Sequence, residues 1–202
     1  MSLLRSYTPA DLLTIGNAAS GTIAVFLCLE HLAAQQLRHL WTAILLLPLA
    51  LLCDVLDGYV ARLDRSRQSR LGADLDSLAD VISFGVAPAV LGYTLGLRGG
   101  WDILVLTYFV VCGVSRLARF NVTSATLADA TTGKVKYFEG TPIPTSVVIV
   151  GVLAVALWTG RIDQDLWFGA YRIGPAWFHP LSLLYAASGS AMISATLRIP
   201  KP

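Results

Sequence analysis

The stretch DVLDGYVARLDRSRQSRLGADLDSLAD, residues 54–80, decides how this chain is read. It sets Asp54, Asp57, Asp76 and Asp80 against or inside segments apolar enough to be membrane helices. A charged side chain at the centre of a bilayer helix costs about 2.5 to 3.5 kcal/mol on insertion scales, so four would cost roughly 10 to 14 kcal/mol unless something neutralises them. A metal site is the natural remedy. At 3.6 residues per turn, Asp54 and Asp57, three apart, share one helical face, and so do Asp76 and Asp80, four apart. Each pair is a two-carboxylate claw. Carboxylates are hard oxygen donors, and with no His or Cys beside them they suit Mg²⁺, Mn²⁺ or Ca²⁺ rather than Zn²⁺ or Cu²⁺. Four of them point to a two-metal centre of the kind that clamps transferring phosphates.

The surrounding sequence places those claws in a membrane. Of 202 residues, 55% are hydrophobic and only 14% charged, and the mean hydropathy is +0.64, far from an ordinary soluble domain. An all-α integral membrane bundle of six transmembrane helices is expected, with spans near 9–29, 40–61, 72–97, 101–120, 143–160 and 177–197. The breaks between them are short: Gly99-Gly100, the run Arg62 to Arg70, the polar stretch 123–140, and Gly160 to Pro175. None could hold a second domain, and there is no repeat or low-complexity tract, so residues 1–202 read as a single domain. The first apolar segment lacks the short core and small-residue cleavage site of a signal peptide.

Basic residues set the orientation. Arg5, Arg62, Arg65, Arg67, Arg70, Arg116, Arg119, Lys134, Lys136, Arg198 and Lys201 fall on one side, leaving Arg38, Arg98, Arg161 and Arg172 on the other. By the positive-inside rule both termini and the loops after the second and fourth spans are cytoplasmic, which puts all four aspartates at the cytoplasmic end. Cys28, Cys53 and Cys112 form no CxxC pair and read as small packing residues. His31, His39 and His179 share no ligand spacing and read as interfacial residues of the far side. Asn121-Val122-Thr123 matches a glycosylation sequon, but on the cytoplasmic side it would not be modified.

Gly58, Ala61 and Gly72 surround the carboxylates with small side chains, which let helices or a ligand backbone approach closely. Helix packing alone would explain any one of them; beside four aspartates and Arg62 they read as the walls of a slot for a phosphate-bearing ligand. Arg62 carries the planar fork that grips phosphate oxygens. Arg65, Arg67 and Arg70 read as positive-inside residues attracted to anionic headgroups, with Asp64 answering their charge.

Asp54-x-x-Asp57-Gly58-x-x-Ala61-Arg62 followed by Gly72-x-x-x-Asp76-x-x-x-Asp80 resembles the signature of the CDP-alcohol phosphotransferases, with eight defined positions matching in order. The resemblance implies a six-helix membrane enzyme, usually a homodimer, that takes a CDP-linked lipid and an alcohol and releases CMP. It implies that Asp54, Asp57 and Asp76 are the principal ligands of two Mg²⁺ or Mn²⁺ ions. Asp80 would combine metal proximity with the general-base role in a cytoplasm-facing, lipid-accessible cavity. Gly58, Ala61, Arg62 and Gly72, with Asp57, would line the CDP site. These roles agree with the chemistry, in which a base deprotonates the attacking hydroxyl and metals hold the pyrophosphate.

Within that family, LDSLADVISFGVAPA (75–89), SRLARFNV (115–122), KYFEGTPIPTS (136–146) and the short terminal RIPKP are similar to the CDP-diacylglycerol-dependent phosphatidylserine synthases. The implied partners are CDP-diacylglycerol, L-serine and membrane lipids, with no nucleic acid. One departure lies in the first helix, where a Pro-Asn pair is expected before a Thr and a second Asn. This chain has Ala10-Asp11, then Thr14 and Asn17. Asn17 keeps a role near the nucleotide, while Asp11 is either a substitute acceptor or an ordinary helix-start carboxylate.

A serine pocket needs a fixed positive charge facing the carboxylates, for which Arg116 and Arg119 are the candidates; both also read as positive-inside residues. Ser83, three residues beyond Asp80, could reach the same cavity or simply pack helices. Pro142 and Pro144 can start a helix, which accounts for the Glu139 to Pro144 stretch, and a pocket-floor role stays open. Pro48 and Pro88 are expected to kink their spans. Two rivals stand: the same chemistry with glycerol-3-phosphate or an inositol phosphate as acceptor, and a divalent-cation transporter or channel with an acidic constriction, which would leave Gly58, Ala61, Arg62 and Gly72 idle.

Overall fold

A computed structural model describes residues 8–63, 70–128, 137–194 and 198–200. Helix α1, Pro9–Ala34, opens with a capping box in which Thr8 and Asp11 each bond the other's backbone N–H, and Pro9 fits the first turn because its missing N–H is unpaired there anyway. It ends at Gln35, in the left-handed region at φ 53°, whose N–H bonds the carbonyl of His31. This two-residue reversal sends α2, Leu37–Leu63, back along α1, and the two form the most extensive helix pair among the described residues. His31 is itself buried and turns Nδ1 to the Gln36 carbonyl at 3.0 Å, so it belongs to the turn rather than to the interface with solvent.

The third span differs from the single helix expected at 72–97. Helix α3, Arg70–Asp80, passes at once into a π-helical turn, Val81–Val86, and then α4, Ala87–Thr94. Pro88 explains the break: it has no N–H to give Phe84, and its ring crowds the carbonyl four residues back. The backbone widens instead, with the Ala87 N–H bonding Ile82, one residue further than in an α-helix. Pro48 lies inside α2.

Helix α5, Gly100–Ala128, runs well past the expected end of the fourth span. Helices α6, Val147–Trp158, and α7, Leu183–Ile193, are each entered through a 3₁₀ turn, Ile143–Ser146 and Pro180–Ser182, that carries a proline in its first positions. Among the described residues, four helical stretches are long and apolar enough to cross a membrane, Pro9–Ala34, Leu37–Arg62, Gly72–Thr94 and Gly100–Val122, and two shorter apolar ones follow at Ile143–Trp158 and Pro180–Ile193.

Two small antiparallel ladders among the described residues interrupt the helical architecture. Strand β1, Tyr137–Glu139, pairs with β4, Arg198–Pro200, and β2, Tyr171–Ile173, pairs with β3, Ala176–Phe178. Neither was expected, because three-residue strands leave too short an alternation to be seen in sequence.

Phe84, Leu91, Leu95, Phe109, Leu153, Tyr185 and Met192 form the centre of the core. Tyr185 meets Phe109 edge to face at 5.2 Å and donates its hydroxyl to the Pro88 carbonyl at 2.7 Å, so the bulky polar ring leaves no orphan group. Other large apolar residues point outward, including Leu45, Val148 and Trp158 at 69, 72 and 81% exposure. An outward apolar surface on helices of this length is the surface of a membrane protein facing lipid.

All five tryptophans, Trp41, Trp101, Trp158, Trp167 and Trp177, belong to the end of the bundle opposite the aspartates. Trp41 packs edge-on against Trp158, and the Trp101 indole donates to Ile173 in the β2–β3 hairpin. At this end Asp102, fully buried, accepts from the Gly99 N–H, the His179 N–H and His179 Nδ1. Gly99-Gly100-x-Asp102 is half of a capping box, a signal readable in the sequence; that it also fastens His179 depends on packing.

Candidate active site

The C-terminal halves of α2 and α3 bring the two claws together. One carboxylate oxygen each from Asp54, Asp76 and Asp80 lies within 4.8 Å of the others, the one such group of potential ligands among the described residues. These charges act on one another at close range, Asp80 with Asp54, Asp76 and Asp57, so the ionised cluster needs positive compensation. Buried Oδ1 of Asp76 has no protein partner. An all-oxygen set with a donor-free buried oxygen fits a hard divalent cation, which would supply the missing charge.

Asp57 belongs to the same face of α2 but lies outside that close group. It is 6% exposed, and its Oδ2 accepts the Thr14 hydroxyl at 2.6 Å. Asp80, equally buried, accepts at Oδ1 from Asn17 Nδ2 at 3.3 Å. Helix α1 thus reaches one carboxylate of each claw from positions one turn apart. Asn17 is completely buried, and its own Oδ1 is without a hydrogen-bond partner.

The glycine-rich wall is open. A methyl placed on Gly58 would find nothing nearer than the tip of Arg62 at 3.8 Å. Arg62 is exposed and folds back along its own helix, donating Nε to the Gly58 carbonyl at 2.8 Å. Ala61, its chain neighbour, and Gly72 are half-buried. Asp64, Arg65 and Arg67 lie outside the described residues, as do Arg5, Lys134, Lys136 and Lys201.

The three residues considered for an acceptor pocket separate. Arg116 on α5 is half-buried, lies over the Phe120 ring at 5.5 Å, and its charge interacts with that of Asp80. Arg119 is exposed and donates Nη2 to the Ile193 carbonyl at 3.3 Å, tying α5 to the end of α7. Ser83 has no exposed surface and donates to the Asn17 carbonyl at 2.9 Å. Its contact is with the backbone of α1, made possible because Gly21 has no Cβ: one there would collide with the Ser83 hydroxyl and backbone.

Of the stretches 115–122 and 136–146 singled out in the sequence, the described residues meet the end of α7 through Arg119, Gly140 and Thr141. Thr141 N–H bonds the Ala191 carbonyl at 3.1 Å, and Gly140, at φ 74°, sits where any side chain would strike Met192. Asn121 donates to Ser77 on α3 at 3.0 Å. The sequence singled out Thr14 by its place in the first-helix pattern but gave neither it nor Ser77 a partner, because which group a helix hydroxyl meets is not a local property.

Comparison with known proteins agrees with this geometry. Residues 7–185 match the CDP-alcohol phosphatidyltransferase family. A CDP-diacylglycerol–serine O-phosphatidyltransferase of Saccharomyces cerevisiae is 42% identical over the whole chain and 73% of the yeast protein. An archaetidylserine synthase of Methanothermobacter thermautotrophicus is 42% identical over 69% of the chain, and a CDP-diacylglycerol–serine O-phosphatidyltransferase of Mycobacterium leprae 40% identical over 77%. The chain spans about half the length of these last two relatives, 54 and 51%. With the eight-position signature folded around one carboxylate cluster and a family match over most of its length, the chain belongs to the CDP-alcohol phosphatidyltransferase family.

Proposed function

We propose that the protein is a phosphatidylserine synthase, transferring the phosphatidyl group of CDP-diacylglycerol to the hydroxyl of L-serine with release of CMP. The observation that carries this reading is the Asp54, Asp76 and Asp80 cluster, with oxygens within 4.8 Å, in a chain 42% identical throughout its length to a relative of that name. Two divalent ions, Mg²⁺ or Mn²⁺, held by Asp54, Asp57, Asp76 and Asp80, would neutralise the pyrophosphate and the departing CMP.

The chain's own groups carry the rest. Asp80 takes the proton from the serine hydroxyl. The freed oxygen forms a bond to the lipid-side phosphorus, and the bond from that phosphorus to the oxygen of the CMP phosphate breaks, so CMP leaves with the electron pair. Gly58, Ala61, Gly72 and Asn17 line the nucleotide site and Arg62 meets phosphate oxygens. Arg116, whose charge interacts with that of Asp80, offers the serine carboxylate its counter-charge, with Arg119 at the mouth of the same site. Ser83 supports the pocket through Asn17.

The reading includes the membrane arrangement. The two shorter apolar helices, lengthened by their 3₁₀ entries, complete six spans around a lipid-accessible cavity. The surplus of Arg and Lys at the aspartate end makes that end, and both termini, cytoplasmic. A homodimer of this single membrane domain is the working assembly.

Purified protein in detergent should release CMP from CDP-diacylglycerol only when both L-serine and Mg²⁺ or Mn²⁺ are present. Release with glycerol-3-phosphate or an inositol phosphate but not serine would transfer the activity to another acceptor. No release with any alcohol from folded, metal-loaded protein would defeat the enzymatic reading.

A further inference from the structure

We propose that Thr14 is a positioning residue of the metal centre, whose hydroxyl aims the Asp57 carboxylate at the ions; this rests on the metal-dependent reading above. The Thr14 hydroxyl has one proton and two acceptors within reach, Asp57 Oδ2 at 2.6 Å and the Ala10 carbonyl at 3.2 Å. The shorter, charge-assisted bond takes the proton. A mid-helix threonine ordinarily returns its proton to the carbonyl four residues back, as Thr22, Thr42 and Thr107 do here. Thr14 instead gives it to another helix.

That bond constrains direction as well as charge. With one oxygen fixed against α1, the plane of the Asp57 carboxylate is fixed, and so is the line along which its second oxygen points. Asp57 needs this more than its neighbours, because it is the one carboxylate of the four outside the 4.8 Å group. The donor is itself anchored. One turn along α1, Asn17 holds Asp80 through its side chain and Ser83 through its carbonyl, and Gly21 admits Ser83 against the helix. Sliding α1 would therefore disturb both claws together. Ligand-orienting partners of this kind typically change metal affinity about tenfold to hundredfold when removed.

Mn²⁺ binding to the purified full chain, read by the electron paramagnetic resonance signal of free Mn²⁺, tests the assignment. Thr14→Val, which keeps the shape and loses the donor, should weaken binding about tenfold or more, and its CMP release should recover as Mn²⁺ is raised. Thr14→Ser, which keeps the donor, should hold Mn²⁺ within about twofold of the parent, on the same principle. Should Thr14→Val fail to fold by thermal unfolding, Thr14→Ala serves as the donor-less variant. Equal Mn²⁺ affinity in parent and donor-less protein overturns the positioning role alone, and so does a Thr14→Ser loss as deep as that of Thr14→Val. A parent chain that binds no Mn²⁺ overturns the metal-dependent reading and this inference with it.

Discussion

Gly21 and Ser83 are small residues at which space is decided by single atoms. A methyl at position 21 would meet the Ser83 Cα and hydroxyl at distances no packed interior holds, and forcing an extra methyl into a tight contact costs about 1 to 3 kcal/mol. Gly21→Ala should lower the thermal midpoint and, because Asn17 is carried on the same helix, reduce CMP release more than the stability loss alone explains; an unchanged midpoint would mean the two helices part freely. Asp80 is a different case, since its burial, its hydrogen bond from Asn17 and its charge interaction with Arg116 concern chemistry more than folding. General-base catalysis contributes about 10² to 10⁴ in rate, so Asp80→Asn should lose at least about a hundredfold in turnover while unfolding at a similar temperature. Full activity in the correctly inserted variant would move the base elsewhere. The aspartates themselves were legible from spacing, because three- and four-residue intervals are local properties of a helix. Thr14 with Asp57 and Asn17 with Asp80, 43 and 63 residues apart, were not, because no local rule connects them.

The π-helical turn between Asp80 and α4 is the element on which the site's orientation depends. One extra residue in the turn rotates α3 relative to α4 by roughly the 100° that a residue occupies in a helix. The Asp76 and Asp80 face is thereby set independently of the face by which α4 packs on Tyr185. Pro88→Ala restores the missing N–H and allows an α-helix to run through. The expected result is a folded protein, by thermal unfolding, whose CMP release falls at least about tenfold, the scale on which a misplaced catalytic group costs rate. Unchanged release would show that the widened turn only accommodates the proline. A kink at Pro88 was readable in the sequence from the ring's chemistry. That the chain would answer by widening, and that the widened turn would begin directly after Asp80, required the neighbours packed around it.

At the scale of the molecule, the bundle has two unlike ends. One carries the carboxylates; the other carries every tryptophan, the β2–β3 hairpin and the buried Asp102–His179 pair. Tryptophan prefers the level of lipid headgroups, where its ring is half in hydrocarbon and its N–H can find a partner. In vesicles, lipids brominated near the headgroup should therefore quench the intrinsic fluorescence more strongly than lipids brominated at the chain ends. Stronger quenching from the chain ends would place the tryptophans at mid-bilayer and the aspartates off the opposite surface. By itself the sequence determined the membrane setting, the pairing of carboxylates on helical faces and the family, because hydropathy, spacing and motif are all local along the chain. Tertiary structure decided which helix supplies donors to which carboxylate, that Ser83 serves α1, and that Arg119 ties α5 to α7 while Arg116 lies over Phe120 and interacts with the charge of Asp80. Those choices turn on helix register and side-chain direction, where one residue of rotation swings a group by about 100°, and only close packing against distant neighbours fixes them.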